Sequence, residues 1–156
     1  HRELLGQHLL GLVAFADEND WASLLRSGAK LGIVPRIDDA LDFARTTRVL
    51  LLVHEPTRIE VDVSFGMLPF ESELVQRAEV REIHGVRFPL ATAEDVIVMK
   101  ALALRPRDVA DIEGIVESIA DLDLHRIRTT VATLSAALEG EDHLSRLEGI
   151  LRAVRR

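Results

Sequence analysis

Two carboxylates stand two residues apart in Arg58–Phe65, a segment in which polar and apolar side chains alternate. In a β-strand, Glu60 and Asp62 would share one face, whereas the Ile and Val residues between them would lie on the other. Paired carboxylates on one face supply the oxygen ligands that a divalent cation prefers. The spacing therefore predicts either a metal site at Glu60 and Asp62 or the ordinary solvated face of a half-buried strand.

Lys100 is one of two lysines in the chain and interrupts the apolar segment Val96–Leu104. An unpaired charge in a dry environment costs several kcal/mol, so this ammonium group must extend to water or pair with a carboxylate. In a partly dry pocket, the compact charge of a lysine could also hold a phosphate group or a substrate carboxylate. The alternative is that the Lys100 side chain only extends to water and binds no ligand.

Two aspartates three residues apart follow Arg105-Pro106 and would lie at the start of a helix. Negative charge is favoured at that end of a helix, so Asp108 and Asp111 could be ordinary caps. With Lys100 they form the more specific pattern Lys-(x4)-Arg-x-Arg-Asp-x-x-Asp-Ile. We expect the Lys100 ammonium to reach the same cleft as Asp62. We also expect it to lie within salt-bridge distance of Asp111 or Asp108, because a chain that folds back at the proline brings these carboxylates alongside.

The elements that position these residues are predicted by hydrophobic periodicity and by turn residues. The predicted strands are Leu9–Phe15, Arg48–His54, Arg58–Phe65, Gln76–Ile83 and Val86–Leu90, of which the first is expected to be buried. The predicted helices are Trp21–Leu31, Ile37–Arg45, Ala93–Leu104, Asp108–Ile119, Leu124–Leu138 and Asp142–Val154. This order indicates an α/β (α+β) fold with a mixed sheet and flanking helices in residues 1–91, and a helical part in residues 92–156 packed on it.

Three segments resemble the AbiEii-type nucleotidyltransferases, the toxin halves of some bacterial toxin–antitoxin pairs, and related minimal nucleotidyltransferase domains. They are Arg58–Ser64, Ala91–Lys100 and Arg105–Ile112, and the resemblance extends over about Leu9–Glu117. It implies a nucleotidyltransferase-like fold and the Mg²⁺-dependent transfer of a nucleoside monophosphate from an NTP to RNA or protein. The implied partners are a nucleotide, an RNA acceptor and a cognate antitoxin.

The resemblance also assigns roles to residues of this chain. The strand carboxylate that matches Asp62 helps to hold magnesium, and we expect Glu60 to accompany it as a metal ligand. Residues Asp62, Lys100 and Asp111 are the expected catalytic residues. The expected nucleotide-binding residues are Lys100, Arg105 and Asp108.

The first motif of the family has no match in this sequence. That motif is a Gly-Gly or Gly-Ser turn before an Asp-x-Asp strand, and it supplies two of the three metal carboxylates. With Leu9–Phe15 as the corresponding strand, His8 and Leu10 would occupy about the positions of the two aspartates. The first part of the chain is accordingly expected to be incomplete at its N-terminus. The alternative function is a degenerate, non-catalytic module that binds a nucleotide or a protein.

Composition limits the protein class further. The 156 residues are 47% hydrophobic and 29% charged, which suits a sizeable core, and the net charge of −7 provides no global attraction for nucleic acid. The absence of cysteine excludes disulfides and thiolate metal sites. With no signal peptide or membrane-length apolar run in the sequence, we expect a cytoplasmic protein without a membrane partner, either a monomer or a homodimer. The apolar face of Asp142–Val154 is expected to pack within its own chain.

Overall fold

The computed structural model describes residues 9–138 and 142–154. These residues form a mixed α+β structure with seven α-helices, a four-stranded mixed sheet and a two-stranded sheet, and helices make up the C-terminal part. The predicted fold class is therefore confirmed. The chain divides into two compact units, His1–Glu73 and Leu74–Arg156. The predicted domains, 1–91 and 92–156 packed on it, stay a prediction.

The first unit contains a four-stranded sheet. Its strands are β1 (Leu9–Ala14), β2 (Ile33–Pro35), β3 (Val49–His54) and β4 (Ile59–Phe65), and its helices include α1 (Trp21–Ala29) and α2 (Ala40–Thr47). The strand order is β1-β4-β3-β2. Strand β1 is parallel to β4, and the β4–β3 and β3–β2 pairs are antiparallel, so β3 and β4 form a hairpin.

One face of this sheet carries the core of the first unit. Its centre is Trp21, whose ring stacks on Phe65 with 4.1 Å between the ring centroids. Alternate residues of β3 and β4 complete the cluster with two small residues of α2: Leu50, Leu52, Val61, Val63, Ala40 and Ala44. Because side chains alternate along a strand, the polar residues of β4 lie on the opposite face.

Strand β1 differs from the prediction of a buried strand. Its first four residues are exposed, and Leu9 and Leu10 retain 47% and 49% of their accessible surface. The strand occupies the end of the sheet order, next to β4. The apolar run therefore predicted the strand correctly, but the prediction that the strand is buried is wrong. Hydrophobic residues also occur on protein surfaces.

Helix α3 (Pro69–Arg77) runs across the division between the units, and it was missed in the sequence. The predicted strand Gln76–Ile83 is wrong in its first residues, which belong to this helix or to the turn after it. The helix begins at a proline, whose fixed φ suits the first helical position. The carboxylate of Glu71 accepts the backbone N–H groups of Met67 and Leu68 at 2.8 Å each, which caps the helix start.

After the last residues of α3, the second unit continues with a hairpin and a helical cluster. The elements are β5 (Glu79–Ile83), β6 (Val86–Leu90), α4 (Ala93–Ala103), α5 (Pro106–Ser118), α6 (Leu124–Ala137) and α7 (His143–Val154). Helix α4 packs against α5, α6 and α7, so its apolar residues are covered on several sides. Of the helices in the described part of the chain, none is long and apolar enough to cross a bilayer.

Helix α7 packs within its own unit, as predicted. It contacts α4, α5 and α6, and its apolar face buries Leu147 and Leu151 almost completely. Arg128 of α6 donates a hydrogen bond from its Nε atom to Oε1 of Glu148 on α7, at 2.5 Å. This hydrogen bond from Arg128 outweighs the effect of partial burial and holds the pKa of the Glu148 carboxyl below its ordinary value.

We expect Glu148→Gln to lower the free energy of unfolding by about 0.2–1 kcal/mol, because both partners of this ion pair are partly exposed. Thermal melts at low and high salt should show the loss shrinking as salt screens the charges. The matched control is Glu117→Gln at an exposed position of α5. A loss that is large and insensitive to salt would contradict the prediction.

Candidate functional site

The two carboxylates of β4 share one cationic partner. Residues Glu60 and Asp62 lie on the face of β4 that points away from the core, and both side chains are half-buried. Arg36 donates from Nη1 to Glu60 Oε2 at 2.8 Å and from Nη2 to Asp62 Oδ1. The two terminal nitrogens of one guanidinium thus bridge two carboxylates on neighbouring positions of one strand face.

Sheet register places Arg36 at this point. It follows β2 directly, and its backbone N–H donates to the carbonyl oxygen of Leu51 at 3.0 Å. Leu51 pairs in turn with Asp62 across the β3–β4 hairpin. The side chain therefore has to cross only the width of β3 to reach β4. Sequence reasoning missed Arg36 because no local motif connects it to residues 24 and 26 positions later.

Strand β1 supplies the other neighbours of the two carboxylates. In the parallel β1–β4 ladder Leu9 pairs with Glu60 and Gly11 pairs with Asp62, whereas Leu10 pairs with Val61. Leu9 and Gly11, and not Leu10, therefore lie beside the carboxylates, because a shift of one residue moves a side chain to the other face. The other predicted position, His8, lies outside the described residues.

The described donor set does not fit a divalent cation. The site implied by the resemblance needs three carboxylates, and the β1 positions beside Asp62 carry a leucine and a glycine. The two carboxylates present are already paired with Arg36. Within residues 9–138 and 142–154, no group of three or more His, Cys, Asp or Glu is arranged to hold a metal ion. The assignment of Asp62 and Glu60 as metal ligands stays a prediction.

The second group of predicted residues lies at the junction of α4 and α5. The Nζ atom of Lys100 lies 2.5 Å from Asp111 Oδ2 and 3.3 Å from Asp108 Oδ1, so the predicted salt bridge is confirmed. Helix α4 ends at Ala103, and its C-cap residue Leu104 adopts left-handed backbone geometry with φ 44°. Helix α5 then starts at Pro106, and this tight turn brings its first carboxylates alongside Lys100.

Capping and charge define the surface of this junction. Asp108 is nearly buried and accepts the backbone N–H of Arg105 at 3.1 Å, which completes the N-terminus of α5. The side chain of Arg105 is 77% exposed, and Arg107 is exposed as well. Lys100 and Arg105 lie beside the carboxylates of Asp108 and Asp111, and the first turn of α5 adds Arg107 as a third cation. The junction, which we call the α4–α5 junction, has a local surplus of one positive charge and can attract an anion.

The N-terminal end of α4 is held by a buried ion network. Asp95 is completely buried and accepts hydrogen bonds from Arg77 and Arg126, each with a shortest distance of 2.8 Å, and from Thr92. Burial alone would raise the pKa of the Asp95 carboxyl, but the hydrogen bonds from Arg77, Thr92 and Arg126 outweigh it and hold that pKa below its ordinary value. The Thr92 hydroxyl oxygen also accepts the backbone N–H of Asp95 at 3.2 Å and so caps the start of α4.

A comparison with protein-family models relates these sites to known proteins. Residues 46–148 match a family described as nucleotidyl transferase of unknown function (DUF2204), about two thirds of the chain. The matched region contains both carboxylates of β4 and the whole α4–α5 junction, whereas Arg36 and β1 lie before it. No curated protein matches the chain significantly.

Proposed function

We propose a nucleotide-binding function for this chain, which belongs to the family of nucleotidyl transferases of unknown function (DUF2204). The α4–α5 junction binds the triphosphate of an NTP, and Lys100 is its central cation. The observation that carries this proposal is the position of Lys100, held by Asp108 and Asp111 beside the exposed Arg105. That arrangement presents several N–H donors to solvent from one end of a helix pair.

The electrostatics of the α4–α5 junction support an anionic ligand. Asp108 is nearly buried and engaged in capping, while the side chain of Asp111 is 40% exposed. A phosphate oxygen can therefore share the Lys100 ammonium from the solvent side without displacing the cap. Arginine adds paired N–H donors that match phosphate geometry, and lysine adds a compact charge. Because the chain carries a net charge of −7, the attraction for an anion is confined to the α4–α5 junction. Added salt should weaken this attraction, because it screens exposed charges.

Calorimetric titration of the full chain with ATP, GTP, CTP and UTP tests the proposal. We expect binding of at least one NTP in the presence of EDTA, since the contacts at the α4–α5 junction come from protein cations. Added salt should weaken the binding, and inorganic tripolyphosphate should compete with the NTP. If neither the NTPs nor tripolyphosphate binds, the proposed function is wrong.

The family description favours a second candidate, which is the transfer reaction itself. In that case the chain transfers a nucleoside monophosphate to RNA or protein with magnesium, as a cytoplasmic toxin of the AbiEii type with a cognate antitoxin would. This reaction requires metal ligands beyond the two carboxylates of β4. Incubation with Mg²⁺, cellular RNA and an NTP labelled at its α-phosphorus distinguishes the candidates. Label in RNA or protein would support transfer, whereas binding without label would support a non-catalytic module.

A further inference from the structure

We propose that the guanidinium of Arg36 is the resident cation of the Glu60–Asp62 face, and that it takes the place of a divalent metal ion there. This inference goes beyond the proposed nucleotide binding and does not depend on it, because it concerns different residues. The side chains that surround Asp62 in this chain differ from the metal ligands that the resemblance to AbiEii-type nucleotidyltransferases implies.

The contacts of Arg36 support this role. Each terminal nitrogen donates to a different carboxylate, so Glu60 and Asp62 are both partly neutralised by one group. The Arg36 side chain is 25% exposed, and its Nε atom is buried without a hydrogen-bond partner in the described part of the chain. A metal ion that coordinated both carboxylates would have to displace this guanidinium from a largely covered position.

The β1 side of the face supports the same conclusion. Its two positions next to the carboxylates are Leu9 and Gly11, which offer no side-chain ligand. The space is open, since a Cβ atom added at Gly11 would meet no atom within 4 Å and Leu9 is 47% exposed. The face therefore lacks metal ligands because of residue identity and not because of crowding. Two substitutions should be enough to supply the missing carboxylates.

Binding of Mn²⁺, followed by the electron paramagnetic resonance signal of the free ion, tests this inference with the metal alone. We expect no specific binding to the parent chain, and Asp62→Asn should leave that result unchanged. The variant Leu9→Asp/Gly11→Asp/Arg36→Gln should bind Mn²⁺ at least about tenfold more tightly than the parent. Adding Asp62→Asn to this variant should abolish the gain.

The matched control moves the new carboxylates by one residue. In Leu10→Asp/Leu12→Asp/Arg36→Gln, the aspartates pair with Val61 and Val63 on the other face of the sheet, so Mn²⁺ affinity should not rise. Circular dichroism establishes that each variant is folded. The parent and its Asp62→Asn variant keep the proposal testable even if replacement of Arg36 prevents folding. Tight Mn²⁺ binding to the parent that Asp62→Asn removes would overturn the proposal, as would a folded triple variant without any gain.

Discussion

Replacing Asp95 by alanine is expected to lower the free energy of unfolding by about 2–3 kcal/mol. The substitution leaves Arg77 and Arg126 without the carboxylate that pairs with both of them, and it removes a group that is completely buried. It also removes a hydrogen-bond partner of Thr92 at the start of α4. Chemical denaturation followed by circular dichroism measures the loss.

The matched control is Asp121→Ala, an exposed aspartate in the same unit. A surface substitution of this kind should change stability by no more than about 0.5 kcal/mol. Equal effects of Asp95→Ala and Asp121→Ala would contradict the assigned network.

Acid titration provides a second measurement of the same network. Burial raises the pKa of Asp95, but the hydrogen bonds from Arg77, Thr92 and Arg126 lower it by more than burial raises it. The folded-state pKa of Asp95 therefore lies below the ordinary value. The ionised carboxylate therefore contributes stability above about pH 3.9, the ordinary pKa of an aspartate. That contribution is lost as the pH falls toward the folded-state pKa. A folded Asp95→Asn variant should lose less stability over this range than the parent.

The elements that were predicted correctly are those whose local pattern matches their environment. Strand β4 alternates buried and half-buried residues, and that alternation is visible in its sequence, whereas β3 is a short apolar run that ends before the turn with Pro56. Helix α3 was missed because it carries few buried residues and its cap depends on Glu71 reaching back to Met67 and Leu68. Strand β1 was assigned a buried position because its composition is apolar, and composition does not reveal that a strand lies at a sheet edge.

The two candidate groups differ in how far apart their members lie in the sequence. Lys100 and Asp111 are joined by one tight turn at Pro106, so a chain that folds back at this proline was enough to predict their contact. The contact of Arg36 with Asp62 depends on the register of β2, β3 and β4 together. Register also decides that Gly11, and not Leu10, lies on the Asp62 face. Such relations between strands are not encoded in any short segment.

Replacing Lys100 by methionine is expected to weaken the affinity for an NTP by about tenfold to a hundredfold, equivalent to about 1.4–2.7 kcal/mol. Methionine keeps most of the length and the apolar stem of the lysine but removes the charge that the triphosphate would share. The stability should change little, by about 1 kcal/mol or less, because the Lys100 pair with Asp111 is partly exposed. Calorimetric titration and thermal melts on the same samples separate the two effects.

The chain offers a close control for this substitution in its other lysine. Lys30 is an exposed residue at the end of α1, in the first unit. Lys30→Met therefore removes the same charge as Lys100→Met but outside the α4–α5 junction. It should leave NTP affinity within about twofold of the parent, because long-range effects of one surface charge are screened by salt. If Lys100→Met binds NTP as well as Lys30→Met does and is more stable than the parent, then Lys100 is only a costly structural charge. In that case its salt bridge to Asp111 joins the two helices, and the nucleotide must bind elsewhere or not at all.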